Sequence, residues 1–580
     1  MWTRTTGESS LVGDASNFGK RIVAATLMLG VSVLLGWFEY RGPAPLGIDA
    51  PTDQPSAARM RATLVELLGD PPQKHTTGTA SGEAFLQRLE KKLRGYEVPM
   101  RRIEIPWDPQ RQDRHPGGRV DLLPPGTVLK NLWVTVEGSD PSLAPILIAT
   151  HHDSCRWGPG AGDAGSAVVT LVEHIRHLST SRPVRTTHYL FTDGEEFGLL
   201  GAYAIVAQES LPFPRPAFVL NFDARGTRGG IAMFETHVNN SGWVSTIIDD
   251  LARPKITSSL AVTIYRSLPN ATDFNAWHGK LGLSGFNYAV IGGAHRYHRP
   301  EDTPQNLSDR TLQHMGAQLF SMHRAIDRLD GPTTRRLNAS TEDPAHGNAV
   351  FFDLYGWTVV HFGEGIQRVI AIVAAALMGV VCLRGRSLGR VRRLPRHALV
   401  VLLSIAAGLL VGVVIQLGLR TTPFSVLKYT PIDLQAGVVT IAASFLVVTA
   451  LLERFTKRIE SDEAEVVSDW IWWVTAALGT VLAMALPGGA YLLVLPSFTY
   501  ALVRIVSPQA TLAAWSGWAA AVILAGPLVM LLVQALGPWR QPVYAALASL
   551  LAVLAMTAWA AQKKARPIPK NRPRLARGDA

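Results

Sequence analysis

The sequence predicts two architectures in one chain: an α/β domain built on a mostly parallel mixed sheet with helices on both faces, and an all-α polytopic membrane domain. Three observations predict them. From Pro145 to Ile291, short apolar runs alternate with segments of helical periodicity, the pattern of a sheet covered on both faces. Long apolar runs occupy residues 22–38 and most of the chain beyond residue 366, each near or above the roughly 17–20 residues that cross a bilayer. The segments between those long runs alternate between rich and poor in basic residues.

The bulk properties agree. A chain of 580 residues is too long for one core and calls for at least two domains. Hydrophobic residues make up 47% of it and the mean hydropathy is +0.15, high for a soluble protein.

The elements follow in order. Ile22–Phe38 is one apolar run preceded by Lys20 and Arg21. GWFEYRG follows it rather than a small-residue cleavage site, which favours an uncleaved anchor over a signal peptide. The flanking charge places the N-terminus in the cytoplasm and the next segment outside. A Pro-rich linker, GPAPLGIDAPTDQP, leads to helical stretches near Ala57–Leu68 and Gly82–Leu93. Pro145–Thr150 reads as a buried strand running into His151, and Ala164–Leu178 as a helix. His188–Phe191 is a strand just before Asp193, Ala217–Phe222 one ending at Asp223, and Gly285–Ile291 one before the loop that holds His298. Ligands of such sheets bind beyond the carboxyl ends of the strands, where these residues lie.

Seven further spans are expected: Ile366–Leu383, Ala398–Leu419, Leu434–Leu452, Val467–Ala485, Ala490–Val506, Ala513–Leu536 and Val543–Ala561. The segments RGRSLGRVRRLPR and ERFTKR and the tail KKARPIPKNRPRLAR are basic and fall on one side, whereas TTPFSVLKYTPID and GPWRQP are poor in basic residues and fall on the other. The resulting division is a cytoplasmic tail (1–21), an anchor (22–38), an extracytoplasmic α/β domain (39–350), a membrane domain (351–561) and a basic cytoplasmic tail (562–580), in the inner cell membrane of a multi-pass protein. Clustered basic charge beside anionic lipid accounts for the net charge of +11, and no nucleic-acid partner is expected. Cys155 and Cys382 would lie on opposite sides of the membrane, so no disulfide and no Cys-type zinc site is expected.

Five motifs carry the chemistry: HHDS, GAGDAGS, TDGEEFG, LNFDARG and YHRPEDT. They supply His151, Asp163, Glu195, Glu196, Asp223 and His298. Two imidazoles, two aspartates, one glutamate ligand and one spare glutamate suit two zinc ions and a carboxylate base, the equipment for hydrolysing a carbonyl substrate. Cobalt and manganese fit the same donors. Each motif alone has a plain structural reading: HHDS a strand end, TDGEEFG an acidic turn, YHRPEDT a capped loop. Adjacent glutamates are costly to bury unless a cation holds one, and the five in this order on one α/β frame favour the metal site. His174 and His177, three apart on a helix, read instead as solvated positions.

Over about residues 127–325 these motifs resemble metallopeptidase family 28. The resemblance implies that His151, Asp163 and Asp223 hold one zinc and Asp163, Glu196 and His298 the other, with Asp163 bridging. It implies Glu195 as general base and Asp153 as the partner that orients His151. In PGAGDAGSA, Gly162 replaces an acidic residue of the family pattern, and Thr272-Asp273 takes the place of its SD pair. Three protein ligands per zinc leave a position open for water. Tyr297 precedes His298 as a tyrosine does in glutamate carboxypeptidase-like members; its hydroxyl either stabilises an oxyanion or packs. Arg225 reads as half of a structural ion pair rather than a binder of a substrate carboxylate. LNFDARGTRGGIAMFET and the multi-span C-terminus point to a membrane-bound subgroup. The expected activity is a zinc exopeptidase, an aminopeptidase in the first instance, acting on peptide substrates. A glutaminyl cyclase-like acyltransferase, a non-catalytic receptor or scaffold, and a transporter are the competing readings. Arg368 and Arg504 lie near span ends, so the spans lack the ionisable interior of a transporter.

Overall fold

The computed structural model describes residues 8–108, 118, 120–124, 126–208, 214–384, 394–421, 432–456, 461–507, 509–536 and 540–560. An eight-stranded sheet has the order β1-β2-β4-β3-β5-β8-β6-β7. Its strands are β1 (Met100–Pro106), β2 (Val128–Val136), β3 (Ile146–His151), β4 (Thr187–Thr192), β5 (Phe218–Ala224), β6 (Arg228–Thr236), β7 (Ile256–Thr257) and β8 (Gly285–Gly292). The central four, β4-β3-β5-β8, are parallel, while β1, β2 and β6 join antiparallel. The alternating apolar runs are these central strands. A long helix, α1 (Glu8–Tyr40), precedes the sheet. The helices that follow it are α2 (Ala57–Leu68), α3 (Ala80–Arg94), α4 (Ala167–Thr180), α5 (Leu200–Val206), α6 (Ser241–Ile247), α7 (Ser259–Ser267) and α8 (Asp309–Asp327).

Side chains alternate across a strand, and both faces are buried. On β3, Ile146 and Ile148 point into a core shared with α2, α4 and α8. Leu147 and Ala149 point into a second core with Leu199, Phe274 and Trp277. Burial on both faces is why PILIAT is apolar throughout instead of alternating.

Among the described residues, eight helices are long and apolar enough to cross a membrane by length and composition. The first is α1, whose span is Val23–Tyr40. The rest come after a hairpin, Ala349–Leu354 with Thr358–Gly363, and begin at Glu364. Two of them pack on the α/β domain, αB (Pro487–Val506) on α7 and αC (Ala510–Leu536) on β8, while αA (Ser461–Ala485) packs on αB. Cys155 and Cys382 are both free and buried. Most of the basic segment 384–396, residues 457–460 and everything beyond residue 560 lie outside the described residues.

The helices and the sheet share a core. On β6, Ile231 and Met233 face the α2–α4–α8 side, whereas Ala232 and Phe234 join Ala289 of β8 in one cluster with Met530, Leu531 and Val533 of αC. A long apolar helix therefore covers the part of the sheet that a soluble α/β protein would cover with an amphipathic one. Polar contacts fix the docking: Ser259 Oγ donates to Gly488 O at 2.7 Å and Tyr40 Oη to Asp353 at 3.3 Å.

One expectation is corrected. His174 is buried, its Nδ1 lying 2.7 Å from Tyr189 Oη and its ring 4.7 Å from that of His323, and His177 is half-buried against Phe320. They are packing histidines rather than solvated ones, because α8 covers this face of α4. The apolar helices also hold a carboxylate: Asp469 of αA is buried and accepts from Tyr500 Oη at 2.6 Å and Arg504 Nε at 3.2 Å. Arg504 is thus one half of an internal ion pair, whose charges need each other once removed from water.

Close helix crossings need small residues. A Cβ on Gly526 would fall 2.2 Å from Ser32 Oγ of α1, whereas one on Gly30 would meet nothing within 4 Å. Gly526→Leu is expected to destabilise the helix bundle by about 1–3 kcal/mol through overpacking and Gly30→Leu to change little, read as thermal midpoints of the two purified variants.

Candidate metal centre

Parallel strands all end on one edge, and that edge gathers the motif residues. His151 is the last residue of β3, and Asp223 lies one residue from the end of β5. Glu195 and Glu196 occupy a short turn after β4. Asp163 sits in the irregular turn Ala161–Ser166 that opens into α4. His298 lies in the loop after β8 with φ 55°, the left-handed region that a β-carbon disfavours.

The six atoms that matter converge. His151 Nε2 is 3.3 Å from Asp163 Oδ1 and 3.5 Å from Asp223 Oδ1. His298 Nε2 is 3.2 Å from Asp163 Oδ2 and 2.7 Å from Glu196 Oε2. One oxygen of Asp163 therefore faces each histidine. Two groups result, His151–Asp163–Asp223 and Asp163–Glu196–His298, each with ligand atoms within 4.8 Å of one another.

A cation fits these groups better than hydrogen bonding does. His151 Nε2, His298 Nε2 and Glu196 Oε1 are buried yet form no hydrogen bond among the described residues. Their close approaches lack hydrogen-bond angles, as when lone pairs point at a common centre. Burial and the Asp163 charge push Glu196 up to about 8. Burial pulls the His298 imidazole down, but Asp163 and Glu196 outweigh it and raise it to about 10. Both upward shifts mark carboxylates crowded together without enough positive charge, the condition a metal relieves.

A surrounding layer of acceptors holds the donors in place. His151 Nδ1 is 3.0 Å from Asp153 O. Asp153, fully buried, accepts from the backbone N–H of Glu195 at 3.1 Å and of Glu196 at 3.3 Å, and from Thr77 Oγ1 at 3.2 Å. Asp153 thereby aligns the histidine through its backbone carbonyl and both glutamates through its carboxylate. Asp302 does the same for the bridge, accepting from Gly162 N at 2.6 Å and Asp163 N at 3.1 Å. Burial and the nearby Asp163 charge push Asp302 up to about 7. Thr192 Oγ1 donates to Asp273, which burial likewise raises to about 7.

The centre lines a cavity of about 410 Å³. Glu195 lines it too, with a carboxylate that makes no hydrogen bond among the described residues. Tyr297 stacks on His298, ring centroids 3.7 Å apart, at the same cavity. Arg225 is exposed there, and the structural ion pair expected for it does not form among the described residues. Every residue to which the motifs give a role lies at this site. The motifs alone give no role to Asp302, although it is the aspartate of YHRPEDT, and none of them contains Thr77.

Residues 131–322 match peptidase family M28. The chain is 28% identical over 322 residues to the vacuolar membrane protease of Candida albicans, covering 54% of this chain and 35% of that protein. It is 26% identical over 262 residues to endoplasmic reticulum metallopeptidase 1 of Homo sapiens, covering 44% of this chain and 28% of that one. The chain thus spans about a third of the length of these relatives. Among solved structures, the glutaminyl cyclase of Porphyromonas gingivalis aligns at a TM-score of 0.36 and 16% identity, covering 47% of this chain and 99% of that chain.

Within the matched region, the Asp302 carboxylate accepts from the backbone N–H of Asp163. Asp302→Ala is expected to lower metal affinity about 10–100-fold, the usual effect of losing an outer partner, while Thr341→Ala, remote from the site, leaves it unchanged; competition titration against a chromogenic chelator measures both.

Proposed function

We propose that this chain is a membrane-anchored zinc exopeptidase with two metal ions, and that it removes N-terminal residues from peptides. The observation that carries the reading is the Asp163 carboxylate, one oxygen turned to each of two complete ligand groups. His151 and Asp223 would complete one zinc site, and Glu196 and His298 the other. Bound zinc would polarise the scissile carbonyl and acidify the attacking water.

The remaining work falls to the protein. Glu195 takes the proton from the attacking water and returns it to the departing nitrogen, as its free carboxylate in the cavity allows. Asp153 keeps His151 and the Glu195–Glu196 turn in register. Tyr297, which lines the cavity, would donate its hydroxyl hydrogen to the developing oxyanion. A second polarity has its own support: Arg225 stands in the cavity without an ion-pair partner among the described residues, suited to a substrate carboxylate. Blocking the substrate's amine should abolish cleavage by an aminopeptidase, and amidating its carboxyl should abolish it for a carboxypeptidase. A pyroglutamyl product would instead mark a cyclase.

The glutamates provide the decisive test. Glu195→Gln is expected to retain two zinc ions and lose about 10²–10⁴-fold in turnover, whereas Glu196→Ala loses one zinc along with activity. Zinc content by mass spectrometry and turnover on a mixed peptide panel read both. Two metals retained in Glu196→Ala but lost in Glu195→Gln would reverse the roles.

The proposed topology keeps residues 1–21 and 562–580 in the cytoplasm, residues 39–350 outside it and residues 351–561 in the cell membrane. Basic segments on one side support it. A tag after Ala580 should be protected from protease added to intact cells, and a tag in the 42–55 linker should be cleaved; the opposite pattern overturns the arrangement.

A further inference from the structure

The cavity at the metal centre is built partly from the apolar helices. Leu531, Leu532, Ala535 and Leu536, the last turns of αC, line it together with Glu195 and Arg225. αC contains the candidate span Ala510–Val533. A peptidase of soluble peptides has no need of such a wall.

A second element continues it. The helix α7 and the residue after it put Ile264 and Leu268 on the cavity, and these side chains are 41% and 44% exposed. Exposed apolar groups beside a catalytic cleft are unfavourable in water unless something apolar covers them. Ile264 also lines a neighbouring cavity of about 420 Å³, between αA, αB and αC, whose walls include Leu486, Leu492 and Leu528. Leu486 there is itself 53% exposed. One side chain thus borders both the space among the apolar helices and the space at the metal centre, and the lining changes from aliphatic at the first to charged at the second.

We propose that the substrate is a peptide with an apolar segment lying in the bilayer, which reaches the metal centre along α7 and the end of αC. Its polar terminus meets Glu195 and the two ligand groups, and its apolar portion lies against Ile264, Leu268, Leu532 and Leu536. The inference rests on the peptidase reading and adds the substrate class. It also gives the apolar helices a part in the site beyond attachment.

The test uses the full chain in zinc-supplemented proteoliposomes and two peptides with the same four terminal residues. One continues into a Leu/Ala-rich segment that partitions into the vesicle, the other into a Gly/Ser segment of equal length. The expected kcat/KM ratio, apolar over polar, is about tenfold or more, the size of discrimination an aliphatic pocket provides. Partitioning alone would also raise that ratio, so the variants decide. Ile264→Lys and Leu536→Lys, on different elements, should each reduce it at least about fivefold, while Ile264→Leu preserves it. A protein merely impaired in folding loses both activities in proportion and keeps the ratio. Fluorescence anisotropy of the same peptides on metal-stripped protein in vesicles should show the same order of binding. A ratio near one, or a ratio unchanged in both lysine variants, overturns the proposal. Cleavage of neither peptide by protein holding both metals overturns the peptidase reading itself, and the substrate class with it.

Discussion

The Asp163 carboxylate is the constraint on which the rest of the site depends. Its two oxygens face His151 and His298 at 3.3 and 3.2 Å, so neither ligand group is complete without it. Holding a carboxylate at that point, among Glu196, Asp223 and Glu195, is unfavourable in a buried setting unless positive charge is added. Burial works against the charge, but the two histidines outweigh it and hold Asp163 down to about 2. Its position is determined by backbone rather than side chain: the turn Ala161–Ser166 hangs from Asp302, which comes from a loop some 140 residues later. The same economy recurs at Asp153, which fastens β3's histidine to the glutamate turn after β4. Two buried aspartates thus tie four loops into one geometry.

The sheet edge explains why these loops meet at all. Four parallel strands end together, and the antiparallel additions at either side leave that edge unchanged. The faces are less symmetrical. One face is closed by α2, α4 and α8; the other is closed in part by apolar helices, through Phe234, Ala289 and Leu531. Because αC reaches past the sheet to the cavity, the element that covers the core also shapes the site. Change at the helix–sheet contact is therefore transmitted to the cleft with little slack, since well-packed interfaces shift between discrete arrangements rather than deform smoothly.

Much of the site was legible in the sequence. The motif residues come within a few positions of strand ends, and short buried strands announce themselves by uninterrupted apolar runs, as PILIAT before His151 does. Donor chemistry at such ends is local information. His174 shows the limit: its helical spacing with His177 is equally consistent with solvent and with burial, and only the arrival of α8 with Phe320 and His323 decides the matter. Arg225 shows it in the other direction, since a guanidinium expected to find a carboxylate faces the cavity instead.

The sequence by itself determined the α/β class, the apolar helices and the candidate donor residues, because each is written in local periodicity, run length or a motif of a few residues. Tertiary structure alone decided that Asp302 and Thr77 support the centre, that Asp469 meets Arg504, and that Leu532 and Leu536 share a cavity with Glu195. These pairings join residues tens to hundreds of positions apart. No periodicity records them, because they arise from how the sheet and the helices pack once each has formed.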